Sequence, residues 1–213
     1  MPKFLSLLIP FCVAIALAHP AFATSCRDEI VALYDGGPLD PFVQPPYRYE
    51  TTVTAADGTV KYEYITFFDT PLRSMNGLKG QTMYLVIGRD TWSAPGPEGP
   101  WTPTQNSLPE DMEGSQRAIR DQHAKNVTDA ECLGKLDRDG ATYVVYRFTT
   151  QTDPGDDGVY FGANHTVFID PEVNRMMIQE QRGFFAHYQT EPGTDISVAV
   201  YTYDPSFAIS VPE

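Results

Sequence analysis

Two stretches of sequence decide the fold: Ala141-Thr-Tyr-Val-Val-Tyr-Arg-Phe-Thr-Thr150 and Val159-Tyr-Phe-Gly-Ala-Asn-His-Thr-Val-Phe-Ile-Asp170. Both are rich in Val, Thr and aromatic residues, the composition typical of β-strands. Turn-forming pairs bound them, namely Asp139-Gly140, Asp153-Pro154 and Asp170-Pro171. The two stretches therefore predict consecutive strands of an antiparallel sheet.

Further strands of the same kind are predicted on both sides of this pair. Asp57-Gly58 separates the alternating runs 47–53 and 60–68 and predicts a hairpin. Met75-Asn76-Gly77 predicts another turn. The remaining strand-like runs are 81–88, 127–136, 175–181, 184–189 and 196–203. The pattern predicts an antiparallel meander that needs other elements to cover one of its faces.

Two helices are predicted beside the strands. Ser25 and Asp28 have the spacing of a capping box at the start of a short helix. A longer helix is predicted from the capping box Ser107-Leu-Pro-Glu110 to about His123 or Asn126. Its apolar stripe is thin, so we expect this helix to lie on the surface of the sheet. The tail 205–213 is expected to be loosely held.

The N-terminus predicts export. One basic residue is followed by the apolar run 5–17 and by the small-residue site Ala21-Phe-Ala23, which predicts a signal peptide over residues 1–23 cleaved after Ala23. The alternatives are a single membrane anchor, for which the run is short, and lipoprotein processing at Cys26. We expect a periplasmic or secreted protein without a stable membrane anchor, whose residues 24–213 form one domain.

Charge and cysteine content narrow the class of protein. The formal net charge of −13 argues against nucleic acid as a partner, because such binding requires clustered Lys and Arg. Cys12 leaves with the signal peptide, so Cys26 and Cys132 remain and are predicted to pair in an oxidising compartment. The alternative is two buried free thiols.

The sequence contains no strong catalytic or metal-binding motif. The acidic turn 152–158 lacks the spacing and the closing Glu of an EF-hand, so it predicts a solvated turn. His165 and His187 lie on separate predicted strands, and a hydrolase or isomerase that uses one of them is a possible alternative. We expect no cofactor, no metal and no enzymatic activity.

Aromatic side chains on or beside the strands are the candidate binding feature. On one face of an open sheet they would form a wall suited to an apolar ligand, and the alternative is that they are ordinary sheet core. The candidate ligand-binding residues are Tyr47, Tyr49, Tyr62, Tyr64, Tyr84, Trp92, Trp101 and Tyr146.

The order of these elements, together with Gly88-Arg-Asp-Thr-Trp92 and Val167-Phe-Ile-Asp-Pro171, resembles the periplasmic lipoprotein-carrier superfamily, the family of the lipoprotein localisation factor. The chain is identified as a diverged member. The resemblance implies an α+β fold: a curved antiparallel half-barrel of about eight or nine strands, with helices covering its concave face.

The same resemblance implies a function. We expect non-catalytic binding of an apolar or lipid-like small molecule, or of a lipidated protein, in the cavity of the half-barrel. The alternative is an envelope protein-interaction or structural module whose interior is filled by its own side chains and holds no ligand.

Overall fold

The structure is a computed structural model that describes residues 25–105 and 108–212. The predicted signal peptide (1–23) and Ser107, the predicted helix cap, lie outside these residues. The helices are α1 (Cys26–Ala32) and α2 (Met112–Lys125), and the strands are β1 (Tyr47–Thr54), β2 (Val60–Thr70), β3 (Arg73–Leu78), β4 (Met83–Ile87), β5 (Asp90–Ala94), β6 (Thr102–Pro103), β7 (Thr128–Arg138), β8 (Ala141–Gln151), β9 (Phe161–Asp170), β10 (Arg175–Ala186) and β11 (Ile196–Tyr203).

These strands form one antiparallel sheet in the order β6-β5-β4-β3-β2-β1-β11-β10-β9-β8-β7. Two meanders, β1 to β6 and β7 to β11, are joined because the first strand pairs with the last. Strands β6 and β7 stand at opposite edges and do not pair with each other, so the sheet is open. The connection from β6 to β7 contains α2 and returns the chain from one edge to the other.

The predicted antiparallel sheet is confirmed, but the predicted strand count was too low. The sheet has eleven strands. The predicted turn at Met75-Asn76-Gly77 was wrong, because these residues lie inside β3. A Cβ atom at Gly77 would lie 2.5 Å from the carbonyl oxygen of Thr82, so glycine is required there by close strand packing and not by a turn. The runs 175–181 and 184–189 largely merge into β10.

Two predicted hairpin turns are confirmed. Gly58, between β1 and β2, has a φ of 85°, and Gly140, between β7 and β8, has a φ of 83° after Asp139 at 51°. Such positive φ values are easily adopted by Gly and tolerated by Asp. The sequence pattern therefore identified the correct turn residues at both positions.

The helices begin behind side-chain caps. Ser25 Oγ accepts a hydrogen bond from the Asp28 backbone N–H at 3.1 Å, as predicted for α1. Helix α2 begins later than predicted, because Asp111 is its cap and accepts from the Gly114 N–H at 2.7 Å. No side chain of α2 is buried, in agreement with its thin apolar stripe. In the described ranges no helix is long and apolar enough to cross a membrane.

Alternation along the strands divides their side chains between two faces. The face that we call the helix face carries the register partners Tyr49 and Tyr201 and also Phe148. Ile30 of α1 is completely buried against this face. The opposite face, called the tail face because the C-terminal tail packs on it, carries one cluster around Leu85 and another formed by Val145, Phe168 and Ile178.

The C-terminal tail is held in place, so the prediction of a loosely held tail was wrong. Ile209 is 8% exposed and packs against the cluster around Leu85. Its backbone N–H donates to the Asp69 carboxylate at 3.2 Å. Phe207 stacks on Phe67 with 5.3 Å between the ring centroids. The tail therefore covers the β2 to β5 half of the sheet together with Trp101.

The helices cover only part of the helix face, which corrects the prediction that they cover the whole concave side. They contact β7 and β8, and the tyrosines Tyr62, Tyr64 and Tyr84 are exposed on the other half of the same face. The reason is length: helices of seven and fourteen residues extend about 10 and 21 Å. Eleven strands at about 4.8 Å spacing extend roughly 50 Å across the sheet.

The predicted disulfide joins Cys26 to Cys132. It links the first residue of α1 to β7 and closes a sequence separation of 106 residues. Because the Cys26 sulfur is bonded to Cys132, it is not available for the lipid attachment that was considered as an alternative. The disulfide fixes α1 over the half of the sheet that contains the cleft described next.

Candidate ligand-binding cleft

A cleft lies between the helix face and the segment that follows α1. Its volume is about 220 Å³. The floor comes from β1, β9, β10 and β11, and the cover comes from residues 34–44 and from His123 of α2. The lining residues are Tyr34, Pro38, Leu39, Pro41, Gln44, Tyr47, His123, His165, Met176, Gln179, Gln181, Tyr201 and Tyr203.

A second cavity of about 240 Å³ adjoins the first. The two share the side chains of His123, His165 and Gln181. The second cavity is lined in addition by Phe161, Phe184, Ala163, Gly162 and Thr152. We refer to the two cavities together as the cleft. The three side chains that line both cavities are polar, and the side chains that line only one of them are largely aromatic and aliphatic.

His165 is the buried polar group among these three side chains. Its side chain is 7% exposed, and its ring stacks on Phe148 with 5.3 Å between centroids. Gln179 Nε2 donates to His165 Nδ1 at 3.0 Å, while Gln179 Oε1 accepts from the Tyr201 hydroxyl at 3.3 Å. This bonding pattern assigns the proton of the neutral imidazole to Nε2.

Burial keeps both histidines of the cleft uncharged. It lowers the pKa of His165 to about 4, and the nearby His123 contributes in the same direction. Burial also lowers the pKa of His123. The tyrosine hydroxyls of the cleft also stay uncharged. Burial raises the pKa of Tyr203 to about 12 and the pKa of Tyr201 well above its ordinary value. The polar groups of the cleft are therefore neutral hydrogen-bonding groups at neutral pH.

The segment that covers the cleft is organised by Asp40. This carboxylate is 3% exposed and accepts from the backbone N–H groups of Gly36 and Phe42, each at 3.0 Å. Arg120 of α2 pairs with it at 3.3 Å. The guanidinium of Arg117 lies 3.9 Å from the centroid of the Phe42 ring. These contacts attach α2 to the segment that follows α1.

The structure separates the eight aromatic residues predicted to bind ligand. Tyr47 lines the cleft, and Tyr49 and Tyr146 pack in the buried cluster beside it. Tyr62, Tyr64 and Tyr84 lie on the helix face but beyond the helices. Trp92 and Trp101 pack with the tail on the opposite face. These eight side chains therefore cannot line a single pocket, and the binding role of each stays a prediction.

The histidine that shares the cleft with His165 is His123, whereas His187 was the one considered from the sequence. His187 contacts Tyr160 and Tyr188. Sequence reasoning missed Gln179 and Gln181, although their period-two spacing on a strand places both on one face. Within the described ranges no group of three potential metal-ligating side chains is present.

The open antiparallel sheet with helices on one face is consistent with the predicted half-barrel. No protein-family model and no curated protein match the chain. Among solved structures, lipoprotein LppX from Mycobacterium tuberculosis is 13% identical, with a TM-score of 0.50, over 82% of this chain and 94% of LppX. LprF from Mycobacterium bovis is 9% identical, with a TM-score of 0.46, over 86% of this chain and 97% of LprF.

A LolA superfamily protein from Nitrosomonas europaea is 14% identical, with a TM-score of 0.28, over 80% of this chain and 90% of that protein. Of these three, LppX reaches a TM-score that indicates a shared fold. At this identity the likeness concerns the fold and not the ligand. The chain therefore shares its fold with LppX, in a diverged form with one open antiparallel sheet and helices on one face.

Proposed function

We propose that this chain is an exported, non-catalytic protein that binds an apolar or lipid-like molecule in the cleft of its half-barrel. The cleft on the helix face carries the proposal. Met176, Tyr203 and Leu39 line one of its cavities, and Phe161 and Phe184 line the other. Apolar ligand surface that leaves water against such side chains contributes about 25 cal/mol per Å².

The dimensions of the cleft limit the size of the ligand. The adjoining cavities measure about 220 and 240 Å³. Together they fall near the lower end of the range of roughly 300–1,000 Å³ in which small-molecule pockets are found. This space suits one small amphiphile with a single acyl chain and not a lipid with several chains.

The second candidate function is an interaction module without a ligand. The packed cluster beneath α1 favours it, because Ile30, Phe148 and Val167 fill the space over part of the sheet with their own side chains. The exposed tyrosines on the uncovered half of the helix face are equally compatible with contact to another protein. The two functions differ in whether a small apolar molecule enters the cleft.

Two neighbouring residues of β10 provide a matched test. Gln181 lines both cavities, whereas the side chain of Arg182 points to the opposite face, where it is largely exposed. We expect the fluorescence of the apolar probe N-phenyl-1-naphthylamine to rise with the wild type and with Arg182→Trp. Gln181→Trp fills the cleft and is expected to abolish that rise.

Circular dichroism and thermal unfolding of both variants would establish that they are folded. Native mass spectrometry of the wild type would then detect any lipid that is retained from its source. Equal probe fluorescence in Gln181→Trp and the wild type would place binding elsewhere. No probe uptake by the folded wild type, together with a mass free of bound lipid, would favour the interaction module.

A further inference from the structure

We infer that the cleft selects uncharged amphiphiles, whose ester, amide or hydroxyl oxygen accepts a hydrogen bond from His165 Nε2, over fatty acids and other charged ones. This inference rests on the proposed function and specifies its ligand class. Two independent observations carry it. One is the absence of charged side chains from the lining of the cleft, and the other is a histidine N–H donor of that lining without a hydrogen-bond partner in the described part of the chain.

The lining of the cleft is uncharged although the protein is highly charged. The sequence has 28 acidic and 15 basic residues among 213. None of the described residues that line either cavity is Asp, Glu, Lys or Arg. A carboxylate or ammonium group of a ligand would enter this space without an opposite charge, and an uncompensated buried charge is strongly disfavoured.

Charged groups that contact the lining or the segment covering the cleft are already engaged. Arg175 donates to Gln44 Oε1 at 3.0 Å, and its guanidinium lies 5.1 Å from the centroid of the Tyr203 ring. The Asp40 carboxylate is paired with Arg120. If Arg175 or Arg120 were to bind a ligand carboxylate, it would have to break one of these contacts. Neither arginine is therefore available as an anion-binding group.

The donor in the lining of the cleft is His165 Nε2–H. Because Nδ1 accepts from Gln179, Nε2 carries the proton, and no hydrogen-bond partner for it is present among the described residues. The ring is more than nine-tenths buried and lines both cavities. Within residues 25–105 and 108–212, Gln189 Oε1 is the one fully buried side-chain polar atom without a partner, so the Nε2–H group is accessible from the cleft. A neutral carbonyl or hydroxyl oxygen of a ligand can accept from it without bringing in a charge.

The test compares three probes with the same acyl chain: monooleoylglycerol, methyl oleate and oleate. Each is equilibrated with the delipidated protein by dialysis at pH 8, below its aggregation concentration. The two neutral probes are expected to bind at least about tenfold more tightly than oleate, because only oleate carries an uncompensated charge. Methyl oleate separates the role of the ester oxygen from that of the glycerol hydroxyls.

Two variants test the separate parts of the inference. Gln181→Lys places a positive charge in the cleft at a half-buried position and is expected to reverse the preference toward oleate. His165→Phe preserves an aromatic ring against Phe148 but removes the donor, and it is expected to weaken neutral-probe binding about tenfold. Because the first variant leaves His165 intact, the test remains informative if His165→Phe fails to fold.

The outcomes distinguish this inference from the function on which it rests. If all three probes bind equally, or oleate binds best to the wild type, apolar binding stands and the selectivity for neutral ligands is wrong. If Gln181→Lys leaves the ratio unchanged, the uncharged lining does not determine selectivity. If none of the probes binds to the folded wild type, the proposed function fails and the inference fails with it.

Discussion

Replacing His165 is expected to flatten the acid dependence of stability. In the folded protein burial lowers the pKa of His165 to about 4, whereas an unfolded chain has a histidine pKa of about 6.5. The unfolded state therefore binds the proton first as the pH falls. The stability associated with neutral His165 is fully present above about pH 6.5 and is lost as the pH falls toward 4.

The magnitude follows from the separation of the two pKa values. At about 1.4 kcal/mol per pKa unit, a separation of roughly 2.5 units corresponds to about 3 kcal/mol over the whole window, and about 2 kcal/mol of this is lost between pH 7 and pH 5. His123, whose pKa burial also lowers, adds to the loss in the same direction. The carboxylates Asp57, Asp153 and Asp204 have lowered pKa values and act only at lower pH.

Urea unfolding at a series of pH values between 7 and 4.5 measures this dependence. His165→Gln removes the titrating group and keeps an acceptor for Gln179, so the free energy of unfolding should become nearly independent of pH apart from the contribution of His123. The control His187→Gln makes the same change at an exposed histidine and should retain the wild-type slope. An unchanged slope in His165→Gln would refute the assignment of a buried, neutral His165.

Three further predictions concern the fold. Reduction of the disulfide should lower the free energy of unfolding by about 4.7 kcal/mol for a loop of this length, and urea unfolding measures this change. A variant that lacks both cysteines should show no response to the reductant. Ile209→Ala should lower the free energy of unfolding by about 2–3 kcal/mol, because this tail residue is buried against the cluster around Leu85. Val211→Ala, at a 57% exposed position, should change the same free energy by less than about 0.5 kcal/mol. Gly77→Ala should lower the thermal midpoint because its Cβ would lie 2.5 Å from a neighbouring carbonyl oxygen. Gly96→Ala, where nothing lies within 4 Å, should leave the midpoint almost unchanged. Equal effects of the Ile209 and Val211 variants, or of the two glycine variants, would contradict the packing described.

Local turn chemistry explains why much of the fold could be predicted. Gly58, Asp139 and Gly140 adopt the positive φ values for which Asp-Gly pairs are favourable in hairpins, so both turns were recognised. Gly77 was misinterpreted because a glycine that is needed for a turn and one that is needed for close strand packing look the same in sequence. Only the position of β4 beside β3 distinguishes the two cases.

The candidate site was harder to predict because it depends on contacts between distant segments. Alternation along β2 shows that Tyr62 and Tyr64 share a face. It does not show whether Trp92, which lies on β5, is on that face or on the opposite one. The pairing of β1 with β11 places Tyr49 opposite Tyr201, and no local signal in either strand indicates it. His123 meets His165 only because α2 returns the chain across the sheet, a connection with no sequence signature of its own.

The two elements that cover the cleft are attached by different kinds of interaction. Helix α1 is fixed by the disulfide and by Ile30, which is completely buried. No side chain of helix α2 is fully buried. The helix is held by the ion pair of Arg120 with Asp40 at 3.3 Å and by hydrogen bonds, such as those from Thr150 Oγ1 to the His123 carbonyl at 2.6 Å and from Asn126 Nδ2 to the Gln151 carbonyl at 3.0 Å. Segments with few buried apolar contacts open at lower free energy than those anchored in a core. We therefore expect the α2 side of the cleft to open at lower free energy than the α1 side.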